Sequence, residues 1–348
     1  MSSSDPNTSG ILPLLERVAA AFADWFWSNV VIGTFGLWMV GQVFRDGSRL
    51  TALCLFVPTV FYAAVLLVAA CLAWLCTCRR IALASLILSL GPAMGVLLVE
   101  NRWHHPSVTA DPARRLRLVH WNVGGASGRT SAVIERLKPH HADVYVLSEV
   151  YQRPALDAIA KGLGADYRVC QVRRMGIISR GQAKLVLTKE RIKSRGYFIE
   201  WASKAGPLML FVVDLPSHPP YYRGRWLWRV RERVHAICPD LIVGDLNASR
   251  RTRALNSLPS GYVHAYAQAG AGWSATWPDS FPLWDLDQCM AGPRIRPLRY
   301  HIESTTVSDH RMGVFDFDLA PPAAAPESPH AVPSPTTAAS PAPSTAPR

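Results

Sequence analysis

The sequence predicts an α+β domain carried behind three membrane-spanning helices. Three observations lead there. Residues 25–44, 50–76 and 81–99 contain no Asp, Glu, Lys or Arg. From about residue 113 the pattern changes to short apolar runs of strand length, interrupted by two helical repeats. Several of those runs end on a carboxylate, amide or imidazole, which buries the run and leaves its last residue at the rim of a sheet.

Taken in order, residues 1–24 form a short lead with an amphipathic patch at 11–22. The three charge-free stretches then fill residues 25–99. A hydrocarbon core of about 30 Å needs roughly 20 apolar residues in a helix, and each stretch supplies that length. Pro58 and Pro92 are expected to kink two of them, as membrane helices tolerate. The first stretch makes a poor signal peptide, because no basic run precedes it and further apolar segments follow at once. Basic residues flank the spans at Arg45 and Arg49, at Arg79 and Arg80, and at Arg102, Arg114, Arg115 and Arg117. They favour a cytoplasmic domain only weakly, since the second pair pulls the other way. The expected location is integral to a membrane, of the bacterial inner-membrane kind, with the side of the domain left open.

Residues 100–112 read as a linker and 113–319 as the globular domain. Residues 320–348 are almost all Ala, Pro, Ser and Thr, too poor in apolar surface to offset their ordering entropy, and are expected to be disordered. Strand-like runs cover 116–123, 143–147, 184–187, 208–214, 241–246 and 314–319. Helical spacing covers 130–137, with Val133 and Leu137 on one face, and 223–237, with Leu227, Val230, Val234 and Ile237 on one face. Arg225, Arg229 and Arg233 lie on the opposite face of the second helix.

Net charge is +12, and residues 111–319 account for +11 of it, with 30 Lys and Arg against 19 Asp and Glu. A basic surface suits an anionic partner, nucleic acid or acidic lipid headgroups. Three of the seven cysteines (Cys170, Cys238 and Cys289) fall in the domain, without metal-ligand spacing or a disulfide framework.

Chemistry concentrates where the runs end. Asn122 closes the first. Glu149 follows Val144-Tyr-Val-Leu-Ser. Asp245 and Asn247 follow Leu241-Ile-Val-Gly, and Asp287 ends Trp284-Asp-Leu-Asp. Ser308-Asp-His310 precedes the last run. Each motif alone is weak, because Gly, Asp and Asn also make plain turns and a single histidine is usually structural. Together they gather groups that suit a hard divalent cation and a phosphate ester.

The chain here resembles the endonuclease/exonuclease/phosphatase family of metal-dependent phosphoesterases. His120-Trp-Asn-Val123 resembles the family's first strand, Leu147-Ser-Glu-Val150 its metal-binding segment, Gly244-Asp-Leu-Asn247 its Gly-Asp-x-Asn and Ser308-Asp-His310 its closing motif. Trp284-Asp-Leu-Asp287 is similar to the Trp-x-Leu-Asp of the abasic-site branch. The resemblance implies a four-layer α/β/β/α sandwich. It implies Glu149 as the main Mg²⁺ ligand (Mn²⁺ as a substitute), helped by Asn122 and Asp309. Asp245 is then the base on the attacking water, Asn247 holds water or a phosphoryl oxygen, and His310 donates to the phosphate with Asp287 fixing its tautomer. Many members carry a histidine at the strand position that is Asp214 here, so His218, four residues on, is expected to substitute for it or the contact is missing. Ile242 and Ser249 depart from the inositol-phosphatase signature. His218, Arg225 and Arg229 are the candidate substrate contacts. The expected activity is phosphodiester hydrolysis on nucleic acid or phospholipid. A phosphate-binding module without turnover is the alternative. No protein partner is indicated.

Overall fold

The computed structural model describes residues 8–103, 111–124, 128–186, 195–217 and 223–320. The lead from Thr8 onward and the first expected span form a single helix, α1 (Thr8–Phe44). Behind it come α2 (Arg49–Phe56), α3 (Thr59–Leu75) and α4 (Arg79–Gly95), the last continuing through a π-helical turn at Val96–Glu100. Pro13–Phe44 and Arg79–Glu100 are long and apolar enough to cross a membrane. The second expected span is not one helix: α2 and α3 meet at 74°, and count as a span only if the bent pair crosses together. Proline explains the break, because the ring at Pro58 pushes the preceding residue out of the helical region, and Val57 sits at φ −63°, ψ 123°. Pro92, by contrast, stays inside α4.

A two-stranded ribbon joins β1 (Asn101–Arg102) to a later strand, and two six-stranded mixed sheets follow. In chain order the strands are β2 (Arg115–Asn122), β3 (Val144–Ser148), β4 (Tyr167–Val172), β5 (Met175–Arg180), β6 (Ala183–Val186), β7 (Gly196–Ser203), β8 (Gly206–Asp214), β9 (Leu241–Asp245), β10 (Val263–His264), β11 (Gly272–Trp273), β12 (Asp287–Ala291), β13 (Ile295–Glu303) and β14 (Met312–Leu319). The first sheet runs β13-β14-β2-β3-β5-β4 and the second β10-β12-β9-β8-β7-β6. The pairs β2–β3 and β8–β9 are parallel, while the other neighbours are antiparallel.

Helices α5 (Thr130–Leu137) and α6 (Arg153–Leu163) cover the first sheet, and α7 (Gly224–Ile237) covers the second. Val133 and Leu137 of α5 and Leu227, Val230 and Val234 of α7 are buried, as helical spacing requires. A short α8 (Ala265–Ala269) places Ala265 and Tyr266 in the core between the sheets. The layers are therefore α/β/β/α.

Strand alternation positions the site. On β2, Leu116 and Leu118 enter the core between the sheets, while Val119 and Trp121 face the covering helices. Side chains alternate along a strand, so His120 and Asn122 continue the inner row. The same parity puts Asp214 in line with Leu208, Leu210 and Val212, and Asp245 with Leu241 and Val243. Parallel pairing brings Asn122 opposite Ser148 and Asp214 opposite Asp245, and the antiparallel partner sets Asp287 beside Asp245.

Candidate active site

Three carboxylates thus share one row across β8, β9 and β12, and all three are buried. Gly244 permits this spacing. Its φ is +147°, and a Cβ there would lie 1.8 Å from the Val213 carbonyl oxygen, so any other residue would force β8 and β9 apart. Two non-glycine residues at the rim also adopt left-handed backbone, Glu149 at φ 60° and Asn247 at φ 48°. Such conformations cost of order 1 kcal/mol and persist where the surroundings hold them. For Asn247 the hold is visible: its N–H donates to Asp245 Oδ1 (2.9 Å) and its amide to the Leu215 carbonyl (2.9 Å).

Asn122 joins the sheets. Its Nδ2 donates to Asp245 Oδ2 (3.1 Å) and Glu149 Oε1 (3.3 Å), while its Oδ1 accepts the Gly124 N–H (3.0 Å). The Ser308 hydroxyl donates to the Asn122 carbonyl (2.7 Å) and accepts the His310 N–H (3.1 Å), and the Trp121 indole donates to the His310 carbonyl (3.0 Å). These bonds pin the segment before β14 against the end of β2.

His310 Nδ1 is 2.8 Å from Asp287 Oδ2, and its Nε2 faces Asp245 Oδ2 at 4.0 Å. Burial alone would lower the His310 pKa, but Asp287, with Asp245 and Asp309, overrides it and lifts it to about 10. The imidazolium in turn outweighs burial at Asp287 and holds that carboxyl below its usual range. Asp245 goes the other way, pushed up to about 8 by burial and then by Asp287. Beneath them His120 is buried, its Nδ1 3.9 Å from Asp287 Oδ1, and desolvation takes its pKa down to about 4, so it is neutral.

The oxygen donors suit a divalent cation. Glu149 is half-buried, and among the described residues its carboxylate takes only the long bond from Asn122, leaving acceptor positions open. Asp287 Oδ1 is buried without a hydrogen-bond partner among the described residues. Asp309 is exposed, with Oδ2 accepting the Trp277 indole N–H (2.9 Å). Ligand atoms of Asp245, Asp287 and His310 also lie within 4.8 Å of one another, though the direct His310–Asp287 bond occupies one of them.

Asn122, Glu149, Asp245, Asn247, Asp287, Asp309 and His310 therefore meet at one end of the paired sheets. The expected substrate contacts do not join them. Arg225 and Arg229 are exposed on α7 and touch no site residue among those described, Arg229 lying instead over the Trp226 ring. Helical spacing had turned them to the solvated face. His218 lies outside the described residues. At the strand position before it, Asp214 pairs with Arg174 (3.2 Å) from the β4–β5 turn. Sequence reading missed Arg174, because only the tertiary packing swings that turn to the second sheet. His120 was legible in principle, two residues before Asn122 on the same inner row.

The profile of the Endonuclease/Exonuclease/phosphatase family matches residues 119–310. Solved structures similar to this chain include a humanized D. rerio TDP2 (TM-score 0.49, 17% identity, 59% of this chain and 99% of that one). Another is an endonuclease/exonuclease/phosphatase from Bacteroides vulgatus (TM-score 0.48, 14% identity, 59% and 99%). A third is truncated Caenorhabditis elegans TDP2 (TM-score 0.45, 19% identity, 59% and 98%). No curated protein sequence matches the chain.

Proposed function

The chain belongs to the endonuclease/exonuclease/phosphatase family, and from that premise we propose that it is a membrane-anchored phosphoesterase that hydrolyses a phosphodiester with a divalent cation, Mg²⁺ first. The observation that carries this reading is the inner row of Asp214, Asp245 and Asp287 faced by His310, Asn122 and Glu149.

Glu149 and Asp309 would hold the cation, with Asn122 orienting Glu149. When bound, the cation neutralises charge on the ester and on the departing oxygen. Asp245 takes a proton from the attacking water; burial and the neighbouring Asp287 raise its pKa, so its ionised form is a stronger base than a free carboxylate. The water oxygen bonds to phosphorus as the ester P–O bond breaks, and the alcohol leaves with a proton from solvent. Asn247 holds the water or a phosphoryl oxygen. His310, kept protonated by Asp287, donates from Nε2 to a phosphoryl oxygen as charge builds there.

Membrane anchoring rests on the two long apolar helices and on side chains such as Phe22, Ile32, Leu83 and Leu90, which stand exposed on the bundle. The test is turnover of bis(p-nitrophenyl) phosphate by the full chain in detergent, with Mg²⁺ or Mn²⁺ and with EDTA. Hydrolysis that EDTA abolishes and added metal restores is the expected result. No turnover of any diester or monoester with either metal overturns the reading and leaves a binding module.

A further inference from the structure

The broken helix pair does more than point toward a bilayer: its tip seats beside the site. The Trp284 indole donates to the Phe56 carbonyl (2.8 Å), and the two rings stack at 5.6 Å. The Arg223 guanidinium lies over the other partner of that contact, 4.9 Å from the Phe56 ring centre. At the opposite end of α2, Asp46 Oδ1 accepts the Arg253 N–H (2.6 Å). Between these contacts α2 stands off the domain and encloses a cavity of about 230 Å³.

The cavity has two kinds of wall. Ala52, Leu53, Leu55 and Phe56 of α2 and Leu227 of α7 give it apolar lining, and Asn247, Ser249 and Arg223 give it polar lining. Asn247 also belongs to the candidate active site, so the polar wall and the site adjoin. Arg223 is a half-buried cation, and among the described residues it makes no carboxylate ion pair; its terminal nitrogen donates to the Ser217 carbonyl (2.8 Å), and its Nε has no partner. Burial lowers its pKa, and Asp245 is close enough to oppose that shift. A second cation, Arg49, lines the cavity from α2, while the one acid there, Asp46, is engaged by Arg253.

Apolar surface continues outward. No residue of α2 is buried, and Leu50 and Leu53 are 76% and 61% exposed. A helix of this kind beside two candidate membrane spans is covered by lipid more cheaply than by water.

Resting on the phosphoesterase reading, we propose that the substrate is a membrane lipid whose phosphodiester enters past Arg223 and Asn247 while its chain lies along the apolar face of α2. An arginine without a carboxylate recognises phosphate, and the apolar wall leads from that phosphate toward the bilayer side of the bundle. A nucleic acid would place sugars and bases on the same wall, where Ala52, Leu53, Leu55 and Phe56 offer them no hydrogen-bonding side chain.

The experiment uses the full chain in mixed detergent micelles with Mg²⁺. Three probes are compared: a panel of phosphatidylglycerol, phosphatidylethanolamine, phosphatidylcholine and sphingomyelin; bis(p-nitrophenyl) phosphate; and a single-stranded oligodeoxynucleotide. At least one lipid is expected to give the highest kcat/KM. Leu53→Asp and Ala52→Trp are each expected to lower kcat/KM for that lipid at least tenfold relative to the aryl diester, so these two are the variants whose ratio is read. Arg223→Gln, which removes a contact to the shared phosphate, is expected to lower kcat/KM for both. Ala52→Trp fills the cavity without adding charge, so it serves if Leu53→Asp misfolds. Turnover of the aryl diester with no lipid hydrolysed, with the oligonucleotide preferred, or with the lipid-to-aryl ratio unmoved in Leu53→Asp and Ala52→Trp, overturns the lipid inference and leaves the phosphoesterase reading standing. No turnover of any probe overturns both.

Discussion

The two ends of the paired sheets carry similar acids under opposite conditions. At the end away from the site, each buried aspartate has its own cation. Asp316 takes Arg117 (2.6 Å) and Arg115 (2.6 Å), Asp318 takes Arg296, Asp143 takes Lys204 (3.2 Å) and Asp240 takes Arg294 (3.2 Å). At the site end, Asp214, Asp245 and Asp287 stand in one row with one guanidinium at Asp214 and one imidazole at Asp287. Among the described residues, Asp245 in the middle has no cationic partner closer than His310 Nε2 at 4.0 Å.

The titration behaviour follows. Burial would raise the pKa of Asp316, but the guanidinium bonds from Arg117 and Arg115 win and hold it below the usual range. Asp245 is lifted to about 8, because its burial is compounded by Asp287. One end pairs its charges, most of them between neighbouring strands of one sheet, whereas the other keeps a negative excess that a cation or a proton can satisfy. Buried like charges are costly in themselves, so such an excess marks a functional end more than a structural one.

Substitutions should therefore separate activity from stability at the two ends. The largest effect is expected from Asp245→Asn, which removes the base and relieves repulsion with Asp287. Turnover should fall about 10²–10⁴-fold, while the thermal midpoint stays level or rises. A variant that keeps its turnover, or that unfolds, would show Asp245 to be structural.

His310→Ala is next, with an expected loss of about 10²-fold from one missing donor to the phosphoryl oxygen. Asp287→Asn should cost less, and the double variant no more than the worse single, because the two act as one unit. Additive losses in kcat would break the pair.

The smallest effect concerns the far end and is read in stability alone. Asp316→Asn should leave kcat unchanged and cost about 1–2 kcal/mol at pH 7. Its folded pKa lies below the ordinary value of 3.8, so this contribution is present above about pH 4 and is lost as pH falls through the folded value. Denaturation of wild type and variant at pH 7 and under strongly acid conditions checks it. A difference that persisted unchanged in acid would rule out the ion pair as its source.

The strands that carry the site were legible from their apolar runs, and observed bounds differ from the expected ones by one or two residues at most ends: β2, β3, β8, β9 and β14 each end or begin beside a site residue. Others were not. The outer strands β4 and β13 carry Arg168, Arg296 and Arg299 on their exposed positions, which breaks the apolar signal while edge pairing still holds the backbone. β12, Asp-Gln-Cys-Met-Ala, is buried throughout yet has no β-branched residue, so its strand conformation comes from β9 alone on one side and β10 on the other. The bend at Pro58 was legible, but the docking of Phe56 on Trp284, far along the chain, was not.

By itself the sequence determined the apolar helices, the central strands, and the inner-row positions of Asn122, Asp214 and Asp245, because backbone periodicity ties each side chain to its near neighbours. Which acids received cations was decided only in the tertiary structure. His310 meets Asp287 from 23 residues away, and Arg174 reaches Asp214 from the opposite sheet. A charge's free energy depends on its burial and on the charges within a few ångströms, and those distances are set by how the two sheets pack, not by the residues beside it in the chain.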